Sequence, residues 1–541
     1  MITGCFAVIN FYLILNSTNP INSSNPTNSI AAVTLIDLFK SAVDRFPDNV
    51  AVKDRHHSLT YKELKSLADG LTTTLIDAGL VHGDRVGLLV DSSVQYVVSY
   101  LGILQAGCVA IPLNTDNSQR NLKFMLQQCG LKCLIGQSRY LSRYQLWSMD
   151  TSIICSDCSD TVEKGDNGPG HDVIRWEQAI EKSPDADSFP NLSSADLACI
   201  LFTSGTTGEP KGVMLSHGNL VANTRSIISY LHLKETDSVL AVLPFFYSYG
   251  SSLLHTHLAV GGTVHIEGQF VYPNKALERM AKERITGFAG VPSTFALLLH
   301  RSNFKNMEWP HLRYVTQAGG AMAPSLAKRL GDVLLDVDIY IMYGQTEATA
   351  RLSYLPPDRF VDKLDSIGKA IPGVELRVVD EKGHQVIPGQ IGEIIARGDN
   401  IMQGYWEQPE ETARVLQNGW LYTGDLARVD EEGFIYIESR KSDIIKSGAH
   451  RISPKEIEEV MAAWPGVHEV AVTGCPDPIL GEAIWAFVVP EGNQALDHKA
   501  IIRHCRNNLA SFKVPQGLIE LTELPKTTSG KIKKTLLQGA R

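Results

Sequence analysis

Short apolar runs alternate with stretches of helical length between residues 35 and 136, and the alternation returns between about 220 and 345. Leu35–Arg45 is amphipathic, and Thr60 followed by Glu63 has the spacing of a helix-capping pair. RVGLLV at 85–90 predicts a strand, Val94 to Gln105 a helix, CVAIPL at 108–113 a strand, Gln119–Gln128 a helix, and KCLIG a further strand. Strands that alternate with helices of this length fold into a parallel sheet covered on both faces, because each crossover lays a helix on the sheet. The expected class is therefore α/β, with parallel-rich sheets in a large N-terminal domain.

The texture changes near 375–437, where VELRVVDEKG, GEIIARG and DEEGFIYIESR read as short strands joined by turns, a β-rich subdomain. RKSD at 440–443 is polar and precedes about a hundred residues of different pattern. These carry a helix at Pro454–Ala463, strands VHEVAVTGC and AIWAFVV, and a helix near Lys499–Leu509, which together describe a small α+β unit. At 541 residues the chain exceeds one ordinary domain. The expected division is 34–439 for the large domain and 440–541 for a small mobile one, with a hinge at 440–443. Residues 1–33 read as a disordered leader, since Asn16 to Ser29 is rich in Asn, Ser, Thr and Pro. The apolar run Cys5 to Leu15 is too short to span a bilayer and lacks the basic flank of a signal peptide.

Apolar residues make up 44% of the chain, enough for an ample core, and the net charge of −9 argues against a general nucleic-acid binder. Of nine cysteines, Cys129, Cys133, Cys155 and Cys158 could imitate a zinc site by spacing. Cys133 and Cys155 lie inside apolar strand candidates, so the expectation is reduced thiols used in core packing, in a cytoplasmic protein with no membrane span.

The most informative segment is Leu201-Phe-Thr-Ser-Gly-Thr-Thr-Gly-Glu-Pro-Lys-Gly-Val213, which follows the apolar run LACILF. The small hydroxyl residues Thr203, Ser204, Thr206 and Thr207 alternate with Gly205 and Gly208 ahead of Lys211. Glycines permit close backbone approach, N–H and hydroxyl groups can surround phosphoryl oxygens, and the lysine adds a point charge. It is a phosphate-handling loop but not a Walker A loop, because no Gly-Lys-Ser/Thr follows at the required spacing.

SGTTGEPKGV resembles the signature loop of the adenylate-forming superfamily: acyl-CoA synthetases, coumarate-CoA ligases, peptide-synthetase adenylation domains and firefly-type luciferases. The family's other motifs follow in order across roughly 35–535. Tyr343-Gly344-Gln345-Thr346-Glu347 follows the apolar run VDIYIM. The resemblance implies that Thr346 contacts the α-phosphate, Glu347 helps hold Mg²⁺ and Tyr343 stacks on adenine, with Ala318-Gly319-Gly320-Ala321 covering the other adenine face. Taken alone, Thr346-Glu347 would read as a helix N-cap. Asp425 in WLYTGD matches the family's ribose-binding aspartate, and Arg440 the arginine that reaches ribose and phosphate near the hinge. Lys531, in LPKTTSGKI, matches the catalytic lysine that bridges carboxylate and α-phosphate as charge develops.

Ile445-Lys-Ser-Gly-Ala-His-Arg-Ile-Ser-Pro454 resembles the loop that lines the thiol tunnel in the second half-reaction. Gly448 is kept and Ala449 replaces the common second glycine. Lys446 is the expected second-step residue, and His450 and Arg451 could meet a pantetheine or nucleotide phosphate. At the hinge, Ser442 stands where relatives carry Asp or Lys.

The resemblance thus implies ATP- and Mg²⁺-dependent activation of a carboxylic acid as an acyl-adenylate, then transfer to CoA or to a carrier-protein phosphopantetheine. The acid pocket is expected from Phe246, Tyr247, Ser248, Val291, Ala318 and Gln345. Amino-acid-activating relatives place an aspartate in the first of these segments, and residues 244–252 contain no acid. An unpaired buried ammonium is costly, which disfavours a simple α-amino acid. A stand-alone proline-type enzyme loading a peptidyl carrier stays open as an alternative, with a luciferase-type oxygenase and a nucleotide-binding pseudoenzyme as more distant ones.

Overall fold

A computed structural model describes residues 33–158, 173–183, 188–204, 210–268, 270, 272–448, 450–492, 495–526 and 532–538. Residues 1–32 of the leader expected at 1–33 lie outside them. Among the described residues the chain forms four sheets, two of them large and parallel-rich.

The first large sheet takes its parallel core from Asp338–Tyr343, Tyr314–Gln317, Gly287–Gly290, Ser238–Ala241, Thr263–Ile266 and Val50–Lys53, in that spatial order. Short antiparallel strands close both edges. The second runs Leu197–Ser204, Val109–Pro112, Arg85–Leu89, Cys133–Gly136, Ser152–Cys155 and Val173–Arg175 in parallel. Its near edge continues antiparallel through Pro210–Ser216 and Gly404–Tyr405. Both faces of the central strands Val109–Pro112 and Cys133–Gly136 are buried, which is why they read as unbroken apolar runs.

The helices between them follow their local signals. Val94–Gln105 begins at Ser93, whose hydroxyl accepts from the Tyr96 N–H. Tyr61–Asp77 begins on the expected reciprocal cap, the Thr60 N–H donating to Glu63 at 2.8 Å and the Glu63 N–H to the Thr60 hydroxyl at 3.4 Å.

The third sheet is antiparallel and comprises Val374–Val379, Ile391–Gly398, Trp420–Val429, Leu416–Gln417 and Ile435–Arg440. The fourth gathers Ile445–Ser447, His450–Ile452, Val467–Asp477, Gly481–Pro490 and Gly517–Glu520, with helices Pro454–Ala462 and His498–Asn508 sharing its core through Ile457, Met461, Ile501 and Cys505. Mixed α/β architecture with parallel-rich sheets, a β-rich part and a following α+β part is the expected fold class.

One expectation is corrected. Cys155 and Cys158 are joined by a disulfide and are not the reduced thiols expected of core strands. The strand Ser152–Cys155 stops at Cys155 and the chain turns at once, bringing the two Cα atoms to 5.6 Å, within bridging range. Cys129 and Cys133 are buried and free, and burial pushes each thiol up to about 12. No helix of the described residues is long and apolar enough to cross a membrane.

Candidate active site

The strands Leu197–Ser204 and Pro210–Ser216 form a hairpin whose register pairs Thr203 with Lys211 and Ser204 with Pro210. Between the two strands falls the segment expected to handle phosphate. Gly205, Thr206, Thr207 and Gly208 lie outside the described residues, as does the Ser204 side chain. Lys211 is buried and ion-paired with Glu411, whose carboxyl it holds below the usual range. Its ammonium lies 5.2 Å from the centre of the Tyr405 ring. Tyr405 sits opposite Val213 on the adjoining strand and donates its hydroxyl to Glu347 Oε1 at 2.8 Å. Lys211 and Glu347, far apart in sequence, thus meet around one tyrosine.

Neither Tyr405 nor Glu411 was singled out from the sequence. The available signal was Gly404-Tyr405-Trp406-Glu407-Gln408-Pro409, a short strand that ends in a proline-led helix.

Thr346 and Glu347 lie on a single 3₁₀ turn, Thr346–Ala348, directly after the strand Asp338–Tyr343. Gly344 has to be glycine here, since a Cβ would stand 2.1 Å from the Ala350 carbonyl oxygen. The turn is pinned from outside. Thr349, at φ 66°, donates its hydroxyl to the Asn400 carbonyl at 2.7 Å, and the Met402 N–H donates to the Glu347 carbonyl at 2.9 Å. The Thr346 hydroxyl lies 3.4 Å from that of Ser248, which joins the expected phosphate contact to the expected acid pocket.

Tyr343 carries the site toward a second pair of groups. Its hydroxyl donates to Asp425 Oδ2 at 2.6 Å, and Arg440 Nε approaches Asp425 Oδ1 at 3.0 Å. Asp425 and Arg440 face each other in the register of neighbouring strands, so the pair is built by the sheet itself. Asp425 is buried and both its oxygens are engaged. Its charge holds the Arg440 guanidinium above the usual range, while burial foremost, with Asp425 next, raises the Tyr343 phenol. Glu393, also unforeseen, accepts from the Gly424 N–H at 3.0 Å and from Lys441 at 2.7 Å, tying the aspartate's turn to the residue after Arg440.

Ala318 follows the strand Tyr314–Gln317, and Gly319 adopts φ +85° with Val291 close by, a Cβ there lying 3.1 Å from Val291 Cγ1. The Gln317 amide donates to the Gly320 carbonyl at 2.8 Å, while Ala321 is exposed. Val291, Ala318 and Gly319 are therefore brought together. Phe246 and Tyr247 have ring centres 4.5 Å apart just before the helix Ser248–Val260. Gln345 is the extended residue that starts the Thr346 turn.

Lys446 and Gly448 lie on a hairpin made by Ile445–Ser447 and His450–Ile452, with Gly448 at φ +58° and the Lys446 side chain exposed. His450 stacks on Phe512 with ring centres 4.0 Å apart. Ala449, the side chain of Arg451 and Lys531 lie outside the described residues.

The Thr346 and Ser248 hydroxyls face each other, and of the neighbouring Glu347 carboxylate one oxygen accepts from Tyr405. That donor set suits Mg²⁺, which takes oxygen ligands together with substrate phosphates.

Residues 39–406 match the family described as AMP-binding enzyme, and residues 456–531 match its C-terminal domain. The chain belongs to the AMP-binding enzyme family. It is 32% identical over 534 residues to a long-chain-fatty-acid–CoA ligase of Escherichia coli O157:H7, covering 92% of this chain and 93% of that protein. It is 30% identical over 493 residues to an indoleacetate–CoA ligase of Aromatoleum aromaticum, covering 90% and 94%. Among solved structures, o-succinylbenzoate coenzyme A synthetase from Bacillus subtilis, in complex with ATP and magnesium ion, superposes with a TM-score of 0.80 at 25% identity, covering 93% of this chain and 99% of that one.

Proposed function

We propose that this AMP-binding enzyme is an AMP-forming acid–thiol ligase that joins a carboxylic acid to CoA through an acyl-adenylate. The observation that supports the reading is a pair of contact chains, one from Lys211 through Tyr405 to Glu347 and one from Tyr343 through Asp425 to Arg440. One end offers a cation and hydroxyls to a triphosphate. The other offers a buried carboxylate to the ribose hydroxyls.

In the first step a carboxylate oxygen attacks the α-phosphorus of ATP, the bond to pyrophosphate breaks, and acyl-AMP forms. Carboxylate and triphosphate repel each other in water, so the site's work is positioning and charge stabilisation. Thr346 orients the α-phosphate from a turn that Asn400 and Met402 hold rigid. Asp425 binds the ribose with Tyr343 and Arg440 fixing its two oxygens. Magnesium bound at Glu347 would neutralise charge on the phosphates. Lys531 takes the role of bridging the acid and the α-phosphate.

In the second step a thiolate sulfur attacks the acyl carbon, the carbon–oxygen bond to phosphate breaks, and AMP leaves. The division at 440–443 lets residues 440–541 present Lys531 for one step and the Lys446 hairpin for the other. CoA is the acceptor that the named relatives support.

An ATP–pyrophosphate exchange panel of fatty, aromatic and amino acids tests this, followed by mass spectrometry of the thioester on CoA and on a holo carrier protein. Acid-dependent exchange with a CoA thioester product is expected. ATP binding without exchange for any acid would return the protein to the pseudoenzyme reading.

A further inference from the structure

Arg351 lies three residues past the end of the Thr346–Ala348 turn and is buried, with 3% of its surface exposed. Its guanidinium carbon lies 3.9 Å from the centre of the Tyr249 ring. Nη1 donates to the Ala350 carbonyl at 3.1 Å, and Nε points at Met342 Sδ at 3.4 Å. Among the described residues no carboxylate stands within ion-pair distance of it. Other partly buried cations of the molecule do have one: Lys211 has Glu411, Arg279 has Glu267 and Arg313 has Asp237. A guanidinium stays protonated in any protein environment, so the charge of Arg351 is present and uncompensated by an acid.

The place of that charge matters. Tyr249 is the residue after Ser248, whose hydroxyl faces Thr346, and the Tyr249 hydroxyl donates to the Thr316 carbonyl at 2.9 Å two residues before Ala318. Arg351 therefore stacks on a ring whose chain neighbour Ser248 and hydrogen-bond partner Thr316 belong to the segments of the proposed acid pocket. Its main chain is fixed there. Asn223 and Asn400 both donate to its carbonyl, at 3.1 and 2.9 Å. Residues 244–252 hold no acid, and the nearby Glu347 is engaged by Tyr405. Burial raises the phenol of Tyr249 and the Arg351 charge pulls it back.

We infer that Arg351 sets the charge selectivity of the acyl pocket, making it accept acids whose acyl part carries no ammonium and reject amino acids, proline included. This rests on the ligase reading and narrows its substrate class. A buried charge stacked on this ring is screened far less than one in water, so it attracts the reacting carboxylate and repels a cation carried beside it.

Proline and cyclopentanecarboxylate test the inference, being the same ring with and without the charged nitrogen. Two ratios are read: kcat/KM in ATP–pyrophosphate exchange, and Kd for the two corresponding acyl-sulfamoyl adenosines. The wild type should favour the carbocycle in both. Loss of ammonium hydration alone gives some of that preference, so the deciding comparison is with Arg351→Met, where the ratio should fall by about tenfold or more. Arg351→Lys, which keeps the charge but not the planar fork, should retain most of it. An unchanged ratio in Arg351→Met, or a wild type that prefers proline, overturns the inference. If Arg351→Met does not fold, Arg351→Gln gives the same comparison with donors retained and charge removed. Absence of exchange with every acid would instead overturn the ligase reading, and the paired Kd values would still decide the charge question.

Discussion

At the scale of single residues, the site is organised by groups that are not themselves motif residues. Tyr405 is the clearest, because one phenol positions the carboxylate expected to hold magnesium and presents its ring to the phosphate-loop lysine. Replacing Tyr405 with Phe keeps the ring and removes the hydrogen bond to Glu347. The released carboxylate would sample other rotamers, and a hydrogen bond to a charged group contributes roughly 1.5–3 kcal/mol. The expected outcome is a higher magnesium requirement for pyrophosphate exchange, with the KM for the acid almost unmoved and thermal stability close to wild type. A titration of rate against Mg²⁺ checks this, and equal losses at all magnesium concentrations would show that Tyr405 does something else. The motif residues Asp425, Arg440, Thr346 and Glu347 were legible because each sits in a run whose order matches a known pattern. Tyr405 and Glu393 were not, because pairing across strands gives them their place, nor was Arg351, which is placed by its stacking on Tyr249, and a single sequence carries neither register nor such contacts.

At the scale of elements, the helices were read closely where their caps are local. Leu35–Arg45 and Val94–Gln105 have the expected bounds, and each begins on a side chain that caps its own first turn. The neighbours of each strand were beyond the sequence. Val50–Lys53 pairs with Thr263–Ile266 across two hundred residues, and nothing in either run announces the other. The helix Ser248–Val260 adds a property that the sequence pattern also hides. It buries His255 and His257, and burial lowers the first to about 3 and the second to about 4. His217 and His265, elsewhere in the same domain, are likewise lowered by burial, each to about 4. For His257 burial outweighs the Leu253 hydrogen bond, which favours the charged ring, and the neutral ring uses both nitrogens. Nδ1 donates to the Leu253 carbonyl at 2.9 Å, and Nε2 accepts from the Tyr314 hydroxyl at 2.9 Å, so a second proton would remove the acceptor.

The sign of the linkage follows from these shifts. Below about pH 6.5 the unfolded chain takes up protons that the folded one refuses, so stability is full above that pH and falls as pH drops toward 4. Each such histidine contributes a slope of up to about 1.4 kcal/mol per pH unit in that window. Thermal midpoints should therefore be flat above pH 7 and drop steeply between pH 6.5 and 4.5. His257→Gln, which keeps a donor and an acceptor, should shallow the fall. A midpoint independent of pH in that range would mean that these rings are not held neutral.

At the scale of the whole molecule, two catalytic lysines are expected on one C-terminal unit of the chain, and each has work in only one half-reaction. The strand Ile435–Arg440 joins the groups proposed to bind the nucleotide to this unit. Arg440 faces Asp425, Lys441 reaches Glu393, and Ser442 follows with its hydroxyl donating to Asp443 at 2.9 Å. The next helix is tied back by Lys455, which reaches Asp365 at 3.1 Å and the Ile437 carbonyl at 2.8 Å. Water reaches this half-buried pair and screens it in part, so such a tie can break and re-form during a catalytic cycle. If rotation about 440–443 exchanges the two lysines, their losses must separate. Lys531→Ala should abolish adenylate formation from acid and ATP while leaving thioester formation from supplied acyl-AMP largely intact. Lys446→Ala should do the reverse, keeping pyrophosphate exchange and slowing thioester release. Stopped half-reactions measured on each variant decide it. Equal loss of both steps in either variant would mean that the unit serves both reactions from one position, and that residues 440–443 are a linker without a hinge's role.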